Sequence, residues 1–128
     1  MLVASGCSKE VENNNIHLAT GGTGGTYFAY GNALKDVAKQ DSNIDMSIQM
    51  SAGSAANIRL IENNIVDMAI VQNDTLTDAF GGKGEFEGNP IKKTKAVAGL
   101  YTENYQIVVN KKLQLNSVED LKGLRVSV

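Results

Sequence analysis

The stretch Ile16-His17-Leu18-Ala19-Thr20-Gly21-Gly22-Thr23-Gly24-Gly25-Thr26-Tyr27 decides how this chain folds. Ile16 to Ala19 is short and mostly apolar, which reads as a strand. Thr20 to Thr26 then contains nothing but glycine and threonine. Glycine lacks a Cβ, so such a run can turn sharply and can bring backbone N–H groups close to another molecule. Tyr27, Tyr30, Leu34, Val37 and Ala38 follow at three- and four-residue steps, which predicts a helix with these side chains on the face toward a sheet. Strand, glycine turn and helix together form the unit from which parallel sheets are assembled.

The same alternation continues downstream. Ile44, Met46, Ile48 and Met50 alternate with Asp45, Ser47, Gln49 and Ser51, the period-two pattern of a strand. Met46 and Met50 are read as core filling. After Ser51-Ala52-Gly53-Ser54 a second helix is predicted, with Ser54 capping it by accepting a backbone N–H, Ile58, Ile61 and Ile65 on its buried face, and Asn63 or Asn64 as a left-handed stop. Asp67 to Val71 reads as a third, central strand. Gln72-Asn73-Asp74 ends it and opens a short helix to about Phe80. Gly81 to Thr94 holds four glycines and the only proline, which predicts a surface loop without regular structure. Ala96 to Tyr101 and Tyr105 to Asn110 read as two extended segments. Ser117-Val118-Glu119-Asp120 resembles a capping box, with Gly123 stopping a short helix. Leu124 to Val128 begins a further strand, so the chain is expected to be truncated within its fold.

Composition narrows the function. With 42% hydrophobic and 20% charged residues, the chain lies far from the signature of disorder. Twelve basic against fourteen acidic residues leave no electrostatic footprint for nucleic acid. A single cysteine and a single histidine exclude an intrachain disulfide and fall short of a four-ligand zinc site. Cys7 ends Leu2-Val3-Ala4-Ser5-Gly6-Cys7, small residues before a cysteine after an apolar start, which resembles a bacterial lipobox. On that reading Cys7 is the site of lipid attachment and Ser8 to Asn15 a tether. Ala4 stands where the pattern prefers leucine, and most of a signal peptide is absent.

In an open α/β sheet, ligands bind beyond the carboxyl ends of the strands, where loops enter helix N-termini. Three such junctions are small and polar here. Thr20 to Thr26 suits an anionic group, through backbone N–H groups and hydroxyls. Ser51 to Ser54 adds a serine pair, and Gln72 to Asp74 an amide and a carboxylate. Together they suit a small zwitterion. The first loop lacks the Lys-Ser/Thr of a P-loop, and Tyr27 stands where G-x-G-x-x-G from Gly22 needs its last glycine, so both nucleotide motifs fail. His17 has no catalytic partner in sequence and is read as structural. Arg59 is an outside candidate for a ligand carboxylate. Asp74 is read as a helix cap or as the partner of a ligand ammonium.

Thr20-Gly-Gly-Thr-Gly-Gly-Thr-Tyr27 with Gly31 resembles the opening motif of the TAXI-type solute receptors of tripartite ATP-independent periplasmic (TRAP) transporters. Ser54-Ala-Ala-Asn57 with Leu60, Asp67-Met-Ala-Ile-Val-Gln72-Asn-Asp74, Gly99-Leu-Tyr101-Thr-Glu103 with Ile107-Val-Val109, and Ser117-Val-Glu-Asp-Leu-Lys-Gly123 resemble later motifs of that family in the same order. Asn64 departs from a common glycine. The resemblance runs from about Ile16 to the end. It implies an α/β, type II periplasmic-binding-protein-like fold, with a partial signal, lipobox and tether over 1–15, a first lobe over 16–104, and the crossover and start of a second lobe over 105–128. It also implies a glutamate-, glutamine- or carboxylate-like ligand, the TRAP membrane subunits as partners, and no cofactor. Carried over by position, the ligand-binding residues are Gly22, Thr23, Gly25, Thr26 and Tyr27, then Ser54, then Gln72, Asn73 and Asp74, with Tyr101 on the hinge side. The alternatives are a phosphonate- or thiamine-precursor-type receptor of the same fold, and an enzyme on the same scaffold.

Overall fold

A computed structural model describes residues 15–126. Cys7 and the tether up to residue 14, together with the last two residues of the expected final strand, lie outside the described residues. The chain divides into two units, the first ending at Lys95 and the second beginning at Ala96.

In the first unit, strands and helices alternate as the periodicities require. β1 (Asn15–Ala19), α1 (Thr26–Ser42), β2 (Asp45–Gln49), α2 (Ser54–Glu62), β3 (Met68–Ala69) and α3 (Asn73–Gly81) follow in order. The sheet has the order β2-β1-β3. Both pairings are parallel, with Leu18 opposite Ile48 on one side and Met68 on the other. β1 is therefore central, which accounts for the complete burial of Leu18 and Ala19.

Two apolar clusters hold the unit together. Leu18, Met46 and Ile70 form one, with Ile16, Ile44, Ile48 and the α1 residues Tyr27, Leu34 and Ala38 against it. Ile58, Ala79, Phe86 and Ile91 form the other, joined by Ala55, Val71 and Leu76. The neighbours Ile70 and Val71 go to different clusters, as the period-two alternation of extended chain demands. Burying a side chain such as Leu18 or Ile58 contributes about 1.5–3 kcal/mol.

The helix ends follow local chemistry. Asn43 and Asn64 adopt left-handed backbone at φ 52° and 54°, and Gly82 does so after α3 at φ 62°. Asparagine and glycine are the residues that tolerate this conformation. Lys39 at the end of α1 pairs with Asp45 at 3.0 Å, but both are exposed, so the pair contributes little.

Several expectations change. Met50, read as core filling, is exposed, and β3, read as central, lies at an edge of the sheet, pairing among the described residues only with β1. Tyr30 and Val37 are exposed. The contact line of α1 instead runs Tyr27, Gly31, Leu34, Ala38, because Gly31 is the buried residue of the helix and sits against Thr20, Leu18 and Ile48. A residue one step from that line is turned by about 100°. Ile65 falls beyond the end of α2 and is exposed. Gly81 to Thr94 is not a bare surface loop: it holds a 3-10 turn, Gly84–Phe86, and buries Phe86, Ile91 and Thr94. The Ile91 N–H donates to Ala79 O at 2.9 Å, and Arg59 stacks over the Phe86 ring at 4.9 Å.

The second unit, residues 96–126, contains two 3-10 turns, Lys111–Leu113 and Glu119–Leu121. Neither extended segment expected there forms a strand, since a strand exists only through ladder bonds to a neighbour. The capping box is half realised. Asp120 Oδ2 accepts the Ser117 N–H at 3.0 Å, and Gly123 turns the chain at φ 84°.

Candidate functional site

Because all three strands run the same way, the β1–α1, β2–α2 and β3–α3 loops leave the sheet at one edge. Side chains then tie the loops together. Ser54, the first residue of α2, accepts the Gln72 N–H at 2.9 Å on its hydroxyl oxygen. The same oxygen lies 3.2 Å from Tyr27 Oη. One serine thus joins the starts of α1, α2 and α3. The expected capping role is replaced by this bridge, for Ser54 lies inside the helix and Gly53 is the N-cap residue. Gly53 takes φ 100° and ψ −162°, a conformation essentially confined to glycine.

In the first loop the Gly25 N–H donates to Gly22 O at 2.9 Å, closing a turn. Gly22, Thr23, Gly25 and Thr26 are exposed, while Tyr27 is half-buried. A Cβ added to Gly22 or Gly24 would meet nothing within 4 Å, and one on Gly25 would lie 3.2 Å from Gly22 O. None of these three glycines has a left-handed φ. Neither backbone conformation nor internal packing therefore requires glycine at 22 or 24. What the missing side chains provide is access to the backbone from outside.

The helix starts set the electrostatics. α1 and α2 carry no acidic residue in their first turns, whereas α3 carries Asp74. The amide N–H groups of a first turn have no intrahelical acceptor and form a partial positive end. An anionic group is favoured at the first two loops. Asp74, exposed at the start of α3, accepts the Thr75 N–H at 2.6 Å. A cationic group is favoured there. Gln72 is half-buried and Asn73 exposed, so the third loop presents an amide beside that carboxylate.

Tyr101 belongs to the second unit, where its hydroxyl donates to Glu103 Oε1 at 2.9 Å. Arg59 is engaged elsewhere, with Glu85 Oε2 at 3.3 Å and the Phe86 ring. His17 is exposed on β1, its backbone N–H held by Asp67 Oδ2 at 2.8 Å.

Two residues that entered the sequence reading only as one of a serine pair, Ser51, and as the end of a motif, Asn57, brace the edge. Ser51 Oγ donates to Thr20 O at 2.9 Å and accepts the Gly53 N–H at 3.0 Å. Asn57, fully buried, donates to Thr20 O and Ile70 O. The signal for Asn57 was available: an amide beside Ile58, on the buried side of a helix, must have buried partners.

Among known families, a model of the NMT1-like family, which is periplasmic-binding-protein-like, matches residues 18–128. The matched span takes in most of the first unit, all of the second and every candidate ligand residue. It supports a mixed α/β periplasmic-binding-protein-like fold and a small-molecule ligand. The chain belongs to the NMT1-like family of substrate-binding receptors.

Proposed function

We propose that this chain carries the first-lobe half of an extracytoplasmic receptor that captures a small carboxylate or amino acid, glutamate- or glutamine-like, without catalysis. The receptor is of the TAXI type and hands its ligand to TRAP transporter membrane subunits. It works in the periplasm or at the cell surface, held to the membrane through lipid on Cys7. The order of the motifs from Thr20 to Gly123 supports the TAXI assignment within the broader family.

The observation that carries the reading is the first loop. Gly22 and Gly24 have no left-handed φ and no neighbour that a Cβ would strike, yet they sit among helix N-termini that favour negative charge. Glycine there leaves the backbone N–H groups open to a carboxylate. Asp74, across the edge at the start of α3, supplies the opposite charge for an ammonium. A zwitterion uses both.

Titration of L-glutamate, L-glutamine, succinate and glutarate into labelled protein, followed through backbone amide resonances, tests this. Shifts confined to residues 22–27, Ser54 and residues 72–74 are expected. If no carboxylate moves these resonances, the reading fails. Shifts with a phosphonate or a thiamine precursor alone would replace the ligand class while keeping the receptor.

A further inference from the structure

We propose that Asn57 is the positioning residue that sets the spacing between the β1–α1 and β3–α3 loops, and with it the length of ligand the edge accepts. This rests on the receptor reading above and names the residue that gives the site its width.

The pairing of β1 with β3 is short, Leu18 with Met68 and Ala19 with Ala69. Its last backbone bond runs from Ile70 N–H to Ala19 O at 3.0 Å. Beyond that point the two chains separate, one into the glycine loop and the other toward Gln72. The Asn57 side chain stands at the fork. Its Nδ2 donates to Thr20 O at 2.6 Å and to Ile70 O at 2.7 Å, so one amide group holds both departing chains. Ser51 Oγ reaches the same Thr20 carbonyl, and Thr20 N–H donates to Gln49 O at 2.9 Å. The β1–β3 ladder thus ends at Ala19 and the β1–β2 ladder at Thr20, and at the Thr20 carbonyl side-chain donors take over from backbone ones.

The orientation of the Asn57 amide follows from its partners. Both are carbonyl oxygens, which only accept, so the nitrogen must face them. The other end is left without a partner among the described residues: Asn57 Oδ1 is buried and makes no hydrogen bond to them. An unsatisfied buried acceptor is costly. A residue serving packing alone at this place would be apolar and of the same size. Asparagine is therefore explained by its two donors, which fix where the first and third loops begin.

The test uses the labelled whole chain, a homologous series of dicarboxylates from malonate to adipate, and the variants Asn57→Leu and Ile58→Val. In the wild type, hydrogen-bond couplings from Asn57 Nδ2 to the Thr20 and Ile70 carbonyl carbons are expected; their absence overturns the proposal even if neither variant folds. In Asn57→Leu, amide resonances of residues 21–25 and 71–74 are expected to move while those in the middle of α1 stay. In Ile58→Val, which loosens the neighbouring core, the loop resonances are expected to stay. The ratio of affinities for short and long dicarboxylates is expected to change at least fivefold in Asn57→Leu. Uniform weakening across the series, or loop resonances that move equally in both variants, overturns the positioning role. If the wild type binds no member of the series, the receptor reading fails separately, and the couplings and the contrast between variants still decide the clamp.

Discussion

Ser54 Oγ accepts the backbone N–H of Gln72 at 2.9 Å, so the first residue of α2 holds the residue immediately before α3. Tyr27 Oη lies 3.2 Å from the same oxygen, which makes this serine the meeting point of the three helix starts. Replacing it removes this link between the loops and leaves the sheet bonds and the Asn57 contacts in place.

Ser54→Ala is accordingly expected to destabilise the protein by about 1 kcal/mol, the ordinary contribution of one hydrogen bond. The change should be local as well, with faster hydrogen exchange at the Gln72 amide than in the middle of α1. Tyr27→Phe should cost less, because Ser54 keeps its Gln72 donor. Urea denaturation combined with exchange measurements checks both, and an unchanged Gln72 exchange rate in Ser54→Ala would remove the bridge from the account.

Gly25 and Gly31 should respond oppositely to substitution. A Cβ on Gly31 would sit 2.5 Å from Thr20 Cγ2, and Thr20 cannot rotate away without losing its Oγ1 bond to Gln49 O. Gly31→Ala should cost about 1–3 kcal/mol from overpacking, offset by the roughly 1 kcal/mol that alanine gains over glycine in a helix. Gly25 has ordinary extended backbone, φ −94° and ψ 157°, and its Cβ would meet only Gly22 O at 3.2 Å. Gly25→Val should stay folded and weaken carboxylate binding about tenfold or more, roughly 1.4 kcal/mol. Thermal unfolding and calorimetry separate the two effects.

Phe86→Ala should be the most damaging change outside the sheet. Phe86 is 4% exposed and packs with Ile58, Ala79 and Ile91, so truncation should cost about 3–5 kcal/mol. Loss of the Arg59 contact over the ring adds to this. Urea midpoints measure it, and a change below 1 kcal/mol would mean that the 81–94 segment is a surface loop after all.

The strands, helices and parallel direction of the first unit were legible because each rests on a local rule: alternation for β2, three- and four-residue steps for α1, asparagine and glycine at the stops. The strand order was not, for β3 was expected at the centre and stands at an edge, with β1 between it and β2. The three polar junctions were legible for the same reason, since a parallel sheet puts its strand-to-helix loops on one edge. Phe86 and Ile91 were not. They stand apart among glycine, asparagine and proline, with no periodic companions, and only the tertiary position of α3 shows what they fill. Ser54 was misjudged because a serine before a helix is most often a cap, and nothing local reveals that Gln72 and Tyr27 compete for it. The 96–101 and 105–110 segments have strand-like composition, but pairing depends on a neighbour that composition does not specify.

The pH response of the 116–120 turn follows from two carboxylates, Asp120 and Glu119. Asp120 Oδ2 accepts the backbone N–H groups of Asn116 at 2.9 Å and Ser117 at 3.0 Å, and these bonds hold its carboxyl below the ordinary aspartate range, Asn116 contributing most. Glu119 is lowered too, first by its own backbone N–H and then by the Ser117 hydroxyl. Both groups favour the ionised state when the turn is formed. The turn is therefore supported at any pH above the unfolded-state values, about 3.9 for aspartate and 4.3 for glutamate, and loses that support as pH falls through the lower folded values. Carbon-detected titration of the Asp120 side chain should give a midpoint below that of aspartate in an unstructured peptide, and the Asn116 and Ser117 amides should move with the same midpoint. In Asp120→Asn the acid-dependent movement of those amides should disappear, while Glu119 still titrates. An ordinary midpoint for Asp120, or amides that move with Glu119 instead, would show that the 116–120 turn is not held by this carboxylate.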